Sequence, residues 1–342
     1  MKPLNCPEAS TPEPGGAAGF PVFVAGGRTY SSTHVIRAAD FRGALRAFRE
    51  TSLTRALRAA PPDGADDAAV GEIGNDYRYR RDLTTAEECE HWLAGRGLSV
   101  ADFQAWCERV YWEGRPGNSG TPAAPPPSLS PGEIDLCFLA DLVLSDDFDR
   151  LARELAWRVA LECASSAGGA AASGSPELAD WDGHLKRLEE AYAACSRGLT
   201  TPTNQARCLA ELRLPLTRFE LEVVQLDGEA AGREAFLCVT QDGLALAAVA
   251  EQAGYALSRS EALLEDFPAA WQDRLLSACV GTVPPPFGEG EARYVCQVRN
   301  KIEATLDRAE VRERVNRTLL HRHFRELESQ HIRWLIPVAA PA

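Results

Sequence analysis

The sequence has little methionine, no paired cysteine motif and no long apolar run. Among its 342 residues Met1 is the single methionine, and the ten cysteines are dispersed without any CxxC spacing. Zinc sites and dithiol redox centres commonly use that spacing, so neither is predicted. No stretch approaches the roughly 18 apolar residues that span a bilayer. We therefore expect no membrane-spanning segment and no membrane partner.

Positive charge is also scarce. Lys and Arg number 36 against 49 Asp and Glu, a net charge of −13. Nucleic acids and anionic membranes are bound through cationic surfaces, so neither partner is expected.

The N-terminus, MKPLNCPEASTPEPGGAAGF, has one Lys and no apolar core and predicts no secretory signal. Cysteines within apolar patterns, such as Cys137 and Cys296, are typical of buried thiols in a reducing compartment. The expected location is the cytoplasm.

Motifs of common active sites are missing. The sequence contains no GxSxG, Walker A or GxGxxG motif, and FGEGEARY has only a GxG in a turn before a strand. A nucleophilic pair of Cys107, Cys279 or Cys296 with a distant His has no local motif to support it, and buried thiols are inert. The sequence therefore favours a binding protein over an enzyme with a new active site.

The histidines do not form a metal-binding pattern. His323 and His331 in HRHFRELESQH are eight residues apart, about 12 Å along a helix. Metal-binding pairs on helices usually stand four apart, as in HExxH. Cys89 and His91 cannot complete a ligand set by themselves. No metal and no other cofactor is predicted.

Composition divides the chain into six segments. The Pro- and Gly-rich segments have too few apolar residues for a core. The predicted domains are a disordered N-terminus at 1–18, an N-terminal helical segment at 19–113, a linker at 114–132, an additional helical region at 133–217, a mixed β/α segment at 218–301 and a C-terminal helix at 302–337.

The N-terminal half contains a predicted helix pair, DLTTAEECEHWLAGRGLSVADFQAWCERVYWE. Thr84 or Thr85 caps the first helix, Gly95 and Gly97 end it, and Ser99 caps the second. Helical spacing then predicts that the apolar residues of each helix share a buried face. These residues are Cys89, Trp92 and Leu93 in the first helix, and Phe103, Trp106, Cys107 and Val110 in the second. A further i, i+4 stripe comprises Leu151, Leu155, Val159 and Cys163.

From Phe219 the pattern becomes mixed α and β. FELEVVQL alternates like a strand with one face buried, and two helices follow that end at Gly243 and Gly254. SRSEALLE is a short strand or extended segment, and FPAAWQDRLLSACVG is a helix with Pro268 in its first turn. A loop, a turn and a closing strand come next. The last predicted element is one long amphipathic helix that includes Trp334.

This order of elements resembles the parvulin (PpiC-type) peptidyl-prolyl isomerase domain. The helix pair resembles the chaperone part of SurA-like proteins, and together the similarity covers about two thirds of the 342 residues. Residues 114–200 look like an addition. The resemblance implies an α+β, mostly α fold, in which a helical SurA-like chaperone core carries an inserted small parvulin-like β/α domain.

The family's proline pocket is matched only in part. The resemblance places Trp271, ten residues before Gly281, at the pocket Phe and Phe267 at the pocket Met. The family's two histidines are not matched, and its GGDLG segment is absent. Leu221 and Glu222 stand where the first histidine is expected, Tyr294 stands for the second, and residues 185–320 contain no His at all. The resemblance therefore implies a degenerate parvulin domain that binds, with isomerase activity weak or absent.

Six tryptophans and one tyrosine cluster around the helix pair and the pocket segment. They are Trp92, Trp106, Tyr111, Trp112, Trp157, Trp271 and Trp334. Core packing explains most such residues, and a groove for the apolar anchors of a peptide is the functional alternative. The residues expected to bind peptide are Phe267, Trp271, Tyr294, Trp106 and Trp334.

The function that these observations predict is a peptide-binding chaperone or escort in a peptide maturation or export system. Its partner would be a client or precursor peptide, with a peptide-modifying enzyme as a further candidate. Two alternatives stay open. One is an active peptidyl-prolyl cis-trans isomerase with a substituted pocket, and the other is an obligate subunit of a peptide-modifying enzyme.

Overall fold

The computed structural model describes residues 19–56, 65–113, 131–165, 180–288 and 292–338. These residues form two compact units. Unit 1 contains the described residues up to Ala194 and from Phe324 onward, and unit 2 is Cys195–His323. The predicted disordered segment 1–18 and nearly all of the predicted linker 114–132 lie outside the described residues.

Unit 1 is mostly helical. Its strands are β1 (Pro21–Ala25), β2 (Arg28–Ser31) and β6 (Ile332–Trp334). Its helices are α1 (Ser32–Phe41), α2 (Arg46–Ala56), α3 (Asp67–Arg80), α4 (Ala86–Ala94), α5 (Val100–Glu113), α6 (Pro131–Leu144), α7 (Asp147–Ser165) and most of α8 (Trp181–Leu199). The strands form an antiparallel sheet in the order β2-β1-β6. Gly26 and Gly27 connect β1 and β2 with φ of 54° and 75°, values that suit a two-residue hairpin turn.

The predicted helix pair is confirmed as α4 and α5. The Thr85 hydroxyl accepts a hydrogen bond from the Glu88 N–H at 3.1 Å, and the Glu88 carboxylate accepts one from the Thr85 N–H at 2.9 Å. This capping box satisfies two N–H groups at the start of α4. Six of the seven predicted core residues are buried, and Val110 is half-buried because Tyr111 takes the inward position.

Helix α3 was not among the predicted elements, although it contributes to the same core. Its Tyr77 ring lies between the Trp92 and Trp106 rings, at centroid distances of 6.0 and 5.2 Å. The helix has weak amphipathic patterning, with Gly71 and Gly74 in its middle. Such glycines are unfavourable in a helix interior. Packing against α5 therefore stabilises this helix more than its own sequence does.

Unit 2 is built around a second antiparallel sheet. Its elements are α9 (Pro202–Leu212), β3 (Arg218–Asp227), α10 (Gly228–Thr240), α11 (Leu246–Ala253), β4 (Leu257–Leu263), a 3-10 turn (Leu264–Asp266), α12 (Ala269–Ser277), β5 (Ala292–Ile302) and most of α13 (Ala309–His331). The sheet order is β4-β3-β5, so β3 is central. The chain is thus mostly helical with small antiparallel sheets, which confirms the predicted α+β class.

The two faces of β3 bury different cores. Phe219, Leu221 and Val223 point to one side, where they pack with residues of the α12 segment. Val224 and Leu226 point to the other side, against α10 and α11. The prediction of one buried face is therefore wrong. The apolar residues change face at Val223–Val224, and α10 and α11 cover the second face. Unit 2 extends beyond the predicted segment 218–301, because α9 and the first part of α13 belong to it.

The C-terminal helix ends earlier than predicted. Helix α13 stops at His331, and Trp334 lies in β6 instead of on the helix. Trp334 is opposite Phe23 in the β1–β6 register, and the Leu335 N–H donates to the Val22 carbonyl at 2.9 Å. Pairing with β1 satisfies backbone groups of this segment and leaves Trp334 half-buried against Phe23. Within the described residues, no helix combines the length and apolar character needed to cross a bilayer.

Candidate functional site

Five aromatic side chains lie together on one face of the unit 2 sheet. This aromatic cluster consists of Phe219, Phe267, Trp271, Phe287 and Tyr294. Trp271 is its centre. The Trp271 ring centroid lies 4.5 Å from that of Phe287 and 5.1 Å from that of Tyr294. Phe267 stacks on the Trp271 ring at 6.0 Å with an interplanar angle of 15°.

The start of α12 positions two of these rings. Pro268 is the residue before the helix, and its carbonyl accepts a hydrogen bond from the Trp271 N–H at 2.8 Å. The Gln272 amide donates to the Phe267 carbonyl at 2.8 Å. Proline fixes its own φ and favours an extended conformation in the residue before it. Phe267 and Trp271 are therefore held on either side of one tight turn.

The Pro-rich loop before β5 supplies a third ring. Phe287 forms a β-bridge with Tyr294, with N–H···O distances of 3.2 and 2.7 Å. The Arg274 guanidinium donates to the carbonyls of Pro285 and Pro286 at 3.0 and 2.8 Å. These bonds join the loop to α12 and to β5 and so position the Phe287 ring against Trp271.

Exposure differs across the cluster. Phe219 is completely buried, and Phe267 and Phe287 are nearly so. Trp271 and Tyr294 are half-buried and present part of their rings to solvent. The segment that follows Trp271 also exposes Leu276 and Val280, which are 39% and 56% accessible. Exposed apolar groups beside a supported aromatic surface are typical of a binding site.

Two titratable groups near the cluster have pKa values that burial shifts towards the neutral form. Burial raises the pKa of the Cys296 thiol to about 12, so this thiol is neutral. Burial lowers the pKa of Lys301, whose ammonium lies 5.0 Å above the Phe219 ring and donates to the Leu276 carbonyl at 3.0 Å. Leu221, which stands where the resemblance expects a histidine, is buried at 2% exposure. The site is suited to contact with apolar and aromatic groups.

Three of the five predicted site residues, Phe267, Trp271 and Tyr294, meet in this cluster. Sequence reasoning missed Phe219 and Phe287. The alternation of β3 already placed Phe219 on the same face as Leu221, whereas the bridge that brings Phe287 to Tyr294 has no local signal in PPPFGEG.

The other two predicted residues lie in unit 1. Trp106 is 8% exposed and packs on Tyr77 and Phe103. Trp334 packs on Phe23 at 5.4 Å, and its indole N–H donates to the Glu328 carboxylate at 3.0 Å. Their part in peptide binding stays a prediction.

The part of the chain that the structure describes contains no grouping of three or more His, Cys, Asp or Glu side chains able to hold a metal ion. No protein-family model matches the chain, and no curated protein matches it.

The chain is similar to several solved structures of foldases and chaperones. The foldase PrsA of Streptococcus pneumoniae is 11% identical, with 91% of this chain and 94% of that chain covered and a TM-score of 0.30. The foldase PrsA of Lactococcus lactis is 9% identical, with 92% of this chain and 94% of that chain covered and a TM-score of 0.28. A SurA-like chaperone of Campylobacter jejuni is 9% identical, with 93% of this chain and 99% of that chain covered and a TM-score of 0.21. These values are too low to establish a shared fold or function.

Proposed function

We propose that this chain is a peptide-binding chaperone or escort, and that the aromatic cluster holds an apolar or prolyl side chain of its client. The observation that carries the proposal is the Trp271 ring, which is half-exposed but supported by the nearly buried rings of Phe267 and Phe287. A rigid ring loses little conformational freedom when it binds, so more of the contact energy contributes to affinity.

Unit 2 acts in this proposal as a degenerate parvulin-like domain. Its order of strand, two helices, strand, helix and strand, with the first strand central, supports that assignment. Isomerisation requires a pocket that binds the twisted amide better than the planar one. Leu221 offers only an apolar side chain in place of the expected imidazole, which favours binding without turnover.

The client is a peptide whose binding segment is neutral or positively charged, because the chain itself carries a net charge of −13. We place the protein in a peptide maturation or export system of the cytoplasm. None of the nine cysteines among the described residues is in a disulfide, and four of them are buried, which supports a reducing compartment.

A peptide-binding experiment tests the site. Fluorescent peptides that carry a proline or an aromatic anchor are titrated with the wild-type chain and with Trp271→Ala. The expected result is a loss of affinity of about tenfold or more, as for a central aromatic anchor. Trp112→Ala, a half-buried tryptophan of α5, is the matched control and should stay within about twofold, as expected for a residue outside the hot spot. Unchanged affinity in Trp271→Ala would place the binding site elsewhere.

A second assay separates binding from catalysis. Protease-coupled isomerisation of Xaa-Pro peptides should proceed at the uncatalysed rate with the wild-type chain present. Acceleration that Trp271→Ala abolishes would instead identify the chain as an isomerase with a substituted pocket. Affinity capture from the native host, with wild type and Trp271→Ala in parallel, would then identify the client.

A further inference from the structure

A thiol and an imidazole meet in unit 2, outside the aromatic cluster. The Sγ of Cys195, in the last part of α8, lies 3.6 Å from the Nε2 of His323 in α13. Both residues are half-buried, so each retains access to solvent. We propose that Cys195 and His323 are a nucleophile–base pair that carries out thiol–disulfide exchange with a disulfide-containing ligand. This inference does not depend on the proposed peptide site.

The distance is that of a hydrogen bond to sulfur, and the thiol donates it in the tautomer whose ring proton is on Nδ1. A nucleophile and a base within hydrogen-bond reach are the elementary unit of covalent catalysis. The pair joins residues 128 positions apart in the chain, which explains why no local motif revealed it. The sequence suggested other nucleophiles, namely Cys107, Cys279 and Cys296. The fold instead brings Cys195 to a histidine.

Helix α9 holds the two partners in place. The Asn204 amide donates to the Leu199 carbonyl at 2.9 Å, which ties α9 to the end of α8. The Gln205 amide donates to the Asn316 side-chain oxygen at 2.8 Å, which ties α9 to α13. Cys195 and His323 are thus positioned by two helices that a third one links, and geometry fixed before the reaction lowers its barrier.

The base is needed because the thiol is not ionised by its surroundings. Burial raises the pKa of Cys195, so the neutral thiol predominates near neutral pH. Only the thiolate attacks a disulfide. The His323 imidazole can accept the proton as the attack takes place, so that free thiolate need not accumulate beforehand.

The exchange is balanced without a further oxidant. The Cys195 sulfur attacks one sulfur of the ligand R–S–S–R′, a new Cys195–S–S–R bond forms, and the old S–S bond breaks. The thiol proton passes to the His323 Nε2 and from there to the leaving sulfur, which departs as R′–SH. Cys195 is oxidised to a mixed disulfide and the ligand is reduced.

A disulfide fits this site better than an ester or amide. Both residues lie within helices, where backbone N–H groups are engaged in i→i−4 hydrogen bonds. Such a site offers no free backbone amides for an oxyanion, which acyl transfer requires. Displacement at sulfur develops no oxyanion, so this pair is sufficient for it.

The test follows each cysteine separately. The full wild-type chain and His323→Gln are incubated with oxidised glutathione near neutral pH, and the mixed disulfides at each thiol are quantified over time by peptide mass spectrometry. We expect the rate at Cys195 to fall by about tenfold or more in His323→Gln, as when a general base is removed. The rate at the exposed Cys279 should not change. His331→Gln, at the end of the same helix, is the matched control and should behave as the wild type.

Two readouts separate catalysis from a structural effect. Cys208 is 1% exposed beside α13, so its continued protection in His323→Gln shows that the helices remain packed. The second readout is the exposed Cys279, whose rate should be equal in both proteins while the rate at Cys195 falls. An equal rate at Cys195 in both proteins, or no modification there while Cys279 reacts, would overturn the proposal.

A parallel incubation with a disulfide-linked peptide distinguishes the source of the ligand. Faster modification of Cys195 by the peptide would assign the pair to protein clients, and faster modification by glutathione disulfide would assign it to small disulfides. If neither ligand reacts at Cys195, the site does not perform the exchange.

Discussion

The Trp271 indole meets the Phe287 ring edge to face, with centroids 4.5 Å apart and planes inclined at 70°. Phe287 comes from the loop before β5, and Trp271 comes from the first turn of α12. An aromatic pair of this geometry contributes about 0.5–1.5 kcal/mol beyond the burial of its area. The contact therefore stabilises unit 2 and at the same time orients the ring that we assign to client binding.

Phe287→Ala should lower the free energy of unfolding of unit 2 by about 3–5 kcal/mol, because it leaves a cavity behind Trp271. Urea denaturation measures the change. Phe287→Leu keeps much of the volume and should cost clearly less. Leu244→Ala, at a side chain 38% exposed, serves as a control and should have a small effect. Equal stability of Phe287→Ala and wild type would contradict the packing described for the cluster.

Helix α10 approaches β5 at a glycine. A Cβ atom added at Gly232 would lie 3.0 Å from the Cβ of Arg293 and 3.6 Å from that of Pro286. Gly232→Val should therefore force α10 away from the sheet and lower the unfolding free energy by about 1–3 kcal/mol. The matched control is Gly198→Ala, where a new Cβ meets no atom within 4 Å. That variant should be neutral or stabilising, since alanine favours the helix. Thermal unfolding of both variants shows whether the close approach at Gly232 causes the loss of stability.

His184 lies nearly buried near the start of α8. Its Nδ1 is 3.7 Å from the Glu162 carboxylate, and the Trp181 ring is 5.2 Å away. Burial lowers the pKa of His184, and the Glu162 charge opposes this in part. Arg28 and Arg187 lower the pKa further, and Asp180 raises it. The folded pKa is thus below the ordinary value of an unfolded chain.

The unfolded chain consequently binds a proton at His184 before the folded one does. The stability that neutral His184 provides is complete above the unfolded pKa of about 6.5 and is lost as the pH falls from there towards the lower folded value. His184→Gln should reduce the loss of stability between about pH 7.5 and about pH 5.5, a range that spans the unfolded pKa. Urea midpoints at the two pH values measure it. His91→Gln, at an exposed position of α4, should retain the wild-type change of stability with pH. If His184→Gln also lost as much stability as the wild type between the two pH values, His184 would not be the responsible group.

Glu328 accepts hydrogen bonds from two indoles of unit 1. The Trp157 N–H donates to it at 2.7 Å and the Trp334 N–H at 3.0 Å, while the Arg153 Nε is 3.5 Å away. Glu328→Ala leaves these part-buried donors without that acceptor and should cost about 2 kcal/mol or more. Glu328→Gln retains one acceptor oxygen and should cost less. Tryptophan fluorescence during denaturation measures the unfolding free energy of both variants. An equal loss of stability in the two would mean that the packing of Glu328 matters more than its hydrogen bonds.

Local sequence patterns predicted many helices and strands correctly, because the interactions that stabilise these elements join residues close together in the chain. The capping box at Thr85 and Glu88 and the apolar spacing of α4 and α5 involve residues three or four apart, and the structure follows them. The alternation of β3 predicted that Phe219 and Leu221 share a buried face, but not that Val224 and Leu226 are buried on the other face. Helix α3 was missed because its stabilising contacts come from α5, and Trp334 was misplaced because its partner Phe23 stands at the opposite end of the chain.

The sequence by itself determined the class of the protein, the positions of most helices and strands, and the loss of the histidines that the resembled family uses. The resemblance also singled out Phe267 and Trp271, because Trp271 stands ten residues before Gly281 as the pocket Phe of that family does. Only the tertiary structure brought Phe287 to Trp271 and Cys195 to His323. Both pairs depend on the packing of segments distant in the chain, and the free energy of such packing resides in contacts that no local spacing encodes.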